Sequence, residues 1–369
     1  MSRSVTLFLC GDVMTGRGID QILPRPCSAE LYEAFVTSAW DYVDLAERSN
    51  GPIERPVDYA YIWGDSLAEL RLVQPAVRII NLETSITTSN AHAPKGINYR
   101  MNPANVGCLS AAKIDCCVLA NNHVMDWGVE GLLDTLVSLD RARIATVGAG
   151  RTDDEARAPC SLRLPGGERL LVFAYGCTDS GIPREWAAGP DGPGVNLLHE
   201  MSMDTAAAIC RQAREAAAPG DLLLASIHWG GNWGYRVPDA YRRFAHRLID
   251  EGGFAVVHGH SSHHAKAIEI YRGRLVLYGC GDFLNDYEGI SGHEAYRGDL
   301  AIMYLTRLSA VDGELIDLRL VPFQIRKFRL NRASKGDVRW LRNTLAQECA
   351  VFGTRIALNP DDSLAVQWD

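Results

Sequence analysis

Five apolar runs along the 369-residue chain stop abruptly at residues that can do chemistry. In order they end in Asp12, Glu83, Asn121-Asn122-His123, His228, and the stretch FAVVHGHSSHHAKA (254–267), which holds His258, His260, His263 and His264. Carboxylate, amide oxygen and neutral imidazole all suit a divalent cation of borderline hardness, and two such ions are commonly held about 3.5–4 Å apart by one bridging carboxylate. A lone histidine after a strand is by default a hydrogen-bonded structural residue, but five strand ends that agree in residue type favour a metal. Glu83 adds a separate argument, because a carboxylate at a buried strand end is costly without a cation beside it. Asp12, after Gly11, has a competing use as a turn or helix cap.

These residues need a scaffold that brings chain-distant strand ends to one place. The runs VTLFLCGD, VRIINLE, DCCVLANNH, LLLASIHWG, FAVVHGH and LVLYGCGDF are short, apolar and β-rich, and each stops at polar residues. Amphipathic stretches at 129–141, 203–217 and 238–251 read as helices between them. Continuous apolar strands alternating with helices imply sheets covered on their faces, an α/β architecture in which ligands sit beyond the carboxyl ends of the strands. Residues 24–75, with prolines around two aromatic-rich segments, read as a helical insertion that could form a lid. Residues 178–200, rich in Gly and Pro, read as a long surface loop. The expected organisation is a domain over 1–330 carrying that insertion, and a basic helical extension over 331–369 packed on the core.

Composition narrows the class of function. A formal charge of −8 and a pI near 5.7 give no basic footprint for nucleic acid or anionic lipid. The first apolar run, Val5 to Cys10, is too short for a secretory signal core and reads as a buried strand, and no stretch approaches the length of a membrane span. The ten cysteines are scattered without a C-x-x-C pair and fit buried free thiols in a reducing cytoplasm. His199 and His246 read as structural. Trp229 and Trp233 could wall a cleft or pack the core, and core is the default.

The order of the polar strand ends is similar to that of the calcineurin-like metallophosphoesterase superfamily. More closely, the blocks GDVMTGRG (11–18), INLETSIT (80–87), LANNHVMDWG (119–128), HWGGNWGY (228–235), GHSSHH (259–264) and LYGCGDFLND (277–286) resemble the CapA family of poly-γ-glutamate synthesis proteins, over roughly residues 5–325. The resemblance implies a four-layer α/β/β/α sandwich and one or two divalent ions (Mn, Fe or Zn). Asp12, Glu83 and His263 would hold one ion; Glu83, Asn122, His228 and His260 would hold the other, with Glu83 bridging. It makes His123 a general acid or transition-state donor beside a metal-activated water. Asn121, His258, His264 and Asp282 would support the ligands. Arg17, Lys95 and Arg100, in loops after metal-bearing strands, would contact an anionic substrate, and for each the competing reading is a solvated loop charge.

Three departures from the wider superfamily also mark the CapA branch. Met14 stands where a histidine is usual, Glu83 replaces a shorter bridging Asp, and one extra residue separates His260 from His263. The expected activity is metal-dependent hydrolysis of a phosphoester, or of an amide bond in a glutamate-containing polymer or metabolite. Two alternatives share the scaffold: a non-hydrolytic factor that binds or transfers an anionic polyglutamate-like polymer, and an amide-forming biosynthetic enzyme. A cytoplasmic small-molecule or polymer substrate is expected, without nucleic acid, and a homo-oligomer is compatible with the sequence.

Overall fold

A computed structural model describes residues 4–369. Strands β1 (Ser4–Val13), β2 (Val77–Leu82), β3 (Cys116–Val118) and β4 (Ala145–Val147) run parallel as neighbours in one sheet. A second sheet contains β5 (Arg169–Cys177), β6 (Leu222–His228), β7 (Val256–His260) and β8 (Arg274–Leu277), again parallel. The chain then returns to the first sheet through β9 (Asp282–Leu284), β10 (Leu300–Ser309) and β11 (Leu315–Ile325). This is a mixed α/β protein.

Both faces of the first sheet are covered, which is why its strands are apolar throughout rather than alternating. Phe8 and Cys10 of β1 join Ile80, Leu82 and Cys117 in one apolar cluster. Against them pack Val43 of α1 (Trp40–Asn50), Leu70 of α2 (Ser66–Val73) and Leu132 of α3 (Gly128–Arg141). The intervening residues Leu7, Leu9 and Ile79 belong to a second cluster with Phe173, Leu224 and Val256 of the other sheet. Ile209 of α4 (Met203–Ala216) and Phe244 of α5 (Asp239–Gly252) complete that cluster. Strand periodicity of two thus divides β1 between two cores.

Two expectations need correction. The tail is not helical throughout: after α6 (Lys335–Ala350), strands β12 (Arg355–Leu358) and β13 (Leu364–Gln367) pair with each other, and β13 adds to β11 at Leu320↔Leu364. Ile356, Leu364 and Val366 are buried at alternating positions around an Asn-Pro turn, a hairpin signal hidden by the stronger helical pattern before it. The 178–200 segment is not a plain surface loop either. Its Leu197–Leu198 pair extends the second sheet beside β5, and Gly194–Val195 pairs with Ala149–Gly150.

Candidate metal centre

The first strand is shaped at its carboxyl end by a close backbone approach. Asp12 pairs with Asn81 of β2 on one side and Asp282 of β9 on the other, and the register shifts there. A side chain on Gly11 would place its Cβ 1.7 Å from the Gly281 carbonyl oxygen, so only glycine admits this junction. The irregularity aims the Asp12 carboxylate out of the ladder. There it accepts hydrogen bonds from Asn81 Nδ2 at 2.7 Å and from the Ser261 backbone N–H at 3.2 Å.

The second sheet supplies the imidazoles. Its register sets His228 opposite His260, and Ser226 opposite His258, so all four point to one face. His228 Nδ1 lies 2.8 Å from His260 Nδ1, and His260 Nδ1 lies 3.7 Å from Asp12 Oδ1. Ser226 Oγ bridges His258 Nδ1 (3.0 Å) and His260 Nε2 (2.9 Å), while His258 Nε2 donates to the Cys10 carbonyl at 2.8 Å and so ties the two sheets together. His228 Nε2 reaches Asn122 Oδ1 at 3.0 Å and lies 3.9 Å from Glu83 Oε1.

Asp12, His228 and His260 offer three ligand atoms within 4.8 Å of one another, all buried, and this cluster could hold a metal ion. The donor set fits one. Burial holds His260 and His228 well below the usual imidazole range, so both are neutral lone-pair donors. Two neutral imidazoles facing each other have at most one proton to share, an arrangement that a cation relieves. Burial pushes Asp12 up to about 7, with Asp282 adding repulsion, and burial with Asp12 and Asp282 raises Glu83 well above the usual carboxylate range. Two desolvated carboxylates this close need a positive charge between them.

Glu83 sits at the end of β2, where its Oε2 accepts from Asn81 Nδ2 at 3.1 Å and its Oε1 lies 3.8 Å from His123 Nε2. His263 is outside the tightest cluster. Its Nδ1 donates to Asp282 Oδ1 at 2.9 Å, and that carboxylate raises His263 against the downward pull of burial. Asn121 fixes the local turn: its side-chain oxygen accepts from the backbone of His123 and Val124, and its amide donates to Asn81 and Leu82.

His123 Nδ1 donates to Asp126 Oδ2 at 2.6 Å, because a carboxylate can only accept. Burial outweighs that contact and lowers His123 to about 4, leaving Nε2 with its lone pair toward the cavity. Lys95 closes the group. Its ammonium donates to Asp126 Oδ1 at 2.7 Å and to the Asn122 carbonyl, 3.3 Å from His123 Nδ1. Glu83, Asn122, His123 and His263 all border a cavity of about 750 Å³.

Three of the expected residues lie elsewhere. Arg17 is buried; it pairs bidentately with Asp286, also donates to Glu33 and Tyr42, and does not border the cavity. Arg100 is buried on the carbonyls of Ser89 and Ser28 and lies 3.8 Å over the Trp127 ring. Each is an internal strut because acceptors from distant segments surround it. His264 supports no ligand directly: its Nε2 accepts from the Gly234 N–H, and its ring packs on Tyr296. Of the two tryptophans, Trp229 is core, but Trp233 is only partly buried and walls the cavity.

The sequence reading missed Asp126, Asn81 and Ser226. Each had a signal. Asp126 follows His123 by three residues in one turn, and Asn81 and Ser226 precede Glu83 and His228 by two, hence share their strand faces.

Residues 6–287 match the family described as bacterial capsule synthesis protein PGA_cap, so the chain belongs to that family, the one that includes CapA. Its sequence is 46% identical, over 98% of this chain and 96% of the relative, to a protein of Mycobacterium tuberculosis (strain ATCC 25618 / H37Rv) named probable polyglutamine synthesis accessory protein. It is 27% identical over 75% of the chain to the PGA biosynthesis protein CapA of Bacillus subtilis (strain 168), of which 62% is covered. The capsule biosynthesis protein CapA of Bacillus anthracis is 23% identical over 77% of the chain.

Proposed function

We propose that this protein serves glutamyl-polymer metabolism as a metal-dependent hydrolase on the four-layer metallophosphoesterase scaffold, cleaving a phosphoester or an amide bond of a glutamate-containing polymer or metabolite. The carrying observation is the convergence of Asp12, Glu83, Asn122, His228 and His260, from five strand ends, beside the His123–Asp126 pair at the cavity. In this reading Asp12, His228 and His260 hold a divalent ion (Mn, Fe or Zn), and Glu83, Asn122 and His263 complete that site or a second one. The ion would supply Lewis acidity and a water of lowered pKa. His123 presents the Nε2 lone pair to the reacting group, where it takes up a proton before it can hand one to a leaving group. Asp126 holds the ring in the Nδ1–H tautomer, and Lys95 fixes Asp126. Residues 1–330 act as the catalytic unit, with the 24–75 insertion bordering the cavity through Asn50.

The relatives' names favour a second reading, an accessory factor that binds a polymer without cleaving it. One experiment separates them. Protein purified without chelator is assayed for bound metal and for hydrolysis of bis(p-nitrophenyl) phosphate and poly-γ-glutamate, alongside His123→Ala and His260→Ala. Metal-dependent turnover lost in both variants supports the hydrolase; full activity without both side chains removes it, and binding without turnover favours the accessory factor.

A further inference from the structure

Charge accounting around the cavity points to the shape of the substrate. Among the described residues, three cationic side chains border it: Lys95, Arg297 and Arg326. Two are already neutralised inside the protein. Lys95 is held by Asp126, and Arg297 pairs with Asp299 at 2.7 Å and 2.8 Å and with Asp337 at 2.8 Å. Arg326 is exposed on the wall and, among the described residues, makes no direct ion pair, its nearest charge partner being Glu288, whose carboxylate it helps to hold down. Among the acidic side chains of the wall, Glu288 is spent on Asn50 and on the backbone N–H groups of Lys327 and Phe328. Glu294 accepts from the Gly292 N–H at 3.0 Å.

Away from the proposed metal centre, the far wall holds one cation outside any ion pair together with the Glu288 and Glu294 carboxylates, and it disfavours a run of anionic groups, since each added charge there meets like charge without a further partner. It accepts one. The rest of the wall includes Ile97 and Ile290, 41% and 49% exposed, beside Trp233, surfaces suited to methylene groups and planar amides. We propose that Arg326 is the specificity-determining residue of this cavity: it pairs with the single free carboxylate of a short, otherwise neutral amide-linked substrate, so that the protein takes a chain end or a small conjugate and not the interior of a polyanion. This rests on the cavity being the substrate site of the proposed function.

The test is calorimetric binding to metal-loaded full-length protein, using N-acetyl-γ-glutamyl methylamide, which carries one carboxylate, its neutral α-amide, and poly-γ-glutamate. The mono-carboxylate is expected to bind about tenfold tighter than the neutral amide, as one charge-assisted contact allows. Arg326→Gln should abolish that preference and Arg326→Lys should retain part of it. Polymer should bind no tighter per chain than the mono-carboxylate. A preference that survives Arg326→Gln, affinity that climbs with the number of carboxylates, or no measurable binding of the mono-carboxylate overturns the proposal. The same titration on His260→Ala keeps the two readings apart, because loss of metal there with an intact Arg326-dependent preference counts against neither the anion contact nor its residue.

Discussion

Asp12 and Asp282 are register partners on two parallel strands, each preceded by Cys-Gly, and the Asp12 N–H donates to the Gly281 carbonyl at 3.1 Å. One of these carboxylates faces His260 and the other holds His263. The whole centre therefore depends on the two Cys-Gly-Asp segments lying in direct backbone contact.

Gly11→Ala should break that contact. The added Cβ would sit 1.7 Å from a carbonyl oxygen, so β1 and β9 must separate. We expect a loss of at least about 3 kcal/mol in urea unfolding, the range of severe overpacking, together with loss of bound metal. Wild-type stability with full metal content would contradict the apposition.

Metal should stabilise the fold. With ion at a hundred times its Kd the gain is about 2.7 kcal/mol, or roughly 3–4 °C in Tm for a chain of this size. Chelator should reverse the shift in wild type and do nothing to His260→Ala. An identical chelator response in both proteins would place any ion elsewhere.

Ser226→Ala removes the hydroxyl that spans His258 and His260 without touching a ligand atom. Loss of such an orienting contact typically weakens metal affinity 10–100-fold. Competition against a fluorescent chelator measures it. The unfolding midpoint should move by only about 1 kcal/mol equivalent, because one or two neutral hydrogen bonds are lost.

The pH dependence of stability can be read at His264, whose ring nitrogens are taken by the Gly234 N–H and the Ala265 carbonyl. Burial lowers it to about 4 in the folded protein, below the unfolded value of about 6.5. The unfolded chain then binds the extra proton between those limits, so stability is full above about pH 6.5 and declines as pH falls toward 4. The single-site contribution is about 3 kcal/mol. His264→Gln should flatten the slope of urea stability against pH by close to one proton in this window, and an unchanged slope would show that the ring is charged in the native state.

The α/β class, most strand ends and the donor types were legible because they are local. A strand buried on both faces must be apolar throughout, and a polar residue at its end stands out against that run. Asp126 was within reach of the same reasoning, one turn beyond His123. The hairpin at 355–367 was harder to see, because its four-residue strands carry little periodicity of their own.

What the chain decided by itself was which chemistry is available: carboxylates, an amide and imidazoles at consecutive strand ends, with a glycine before Asp12. What only the tertiary structure decided was which charges remain free to act. Arg17, Arg100 and Lys95 look alike in sequence, yet Arg17 is consumed by Asp286, 269 residues away, and Arg100 by backbone carbonyls of two separate segments. Pairing of a charge depends on distances across the fold, and burial makes that pairing obligatory, so no local pattern could have separated these cations from Arg326.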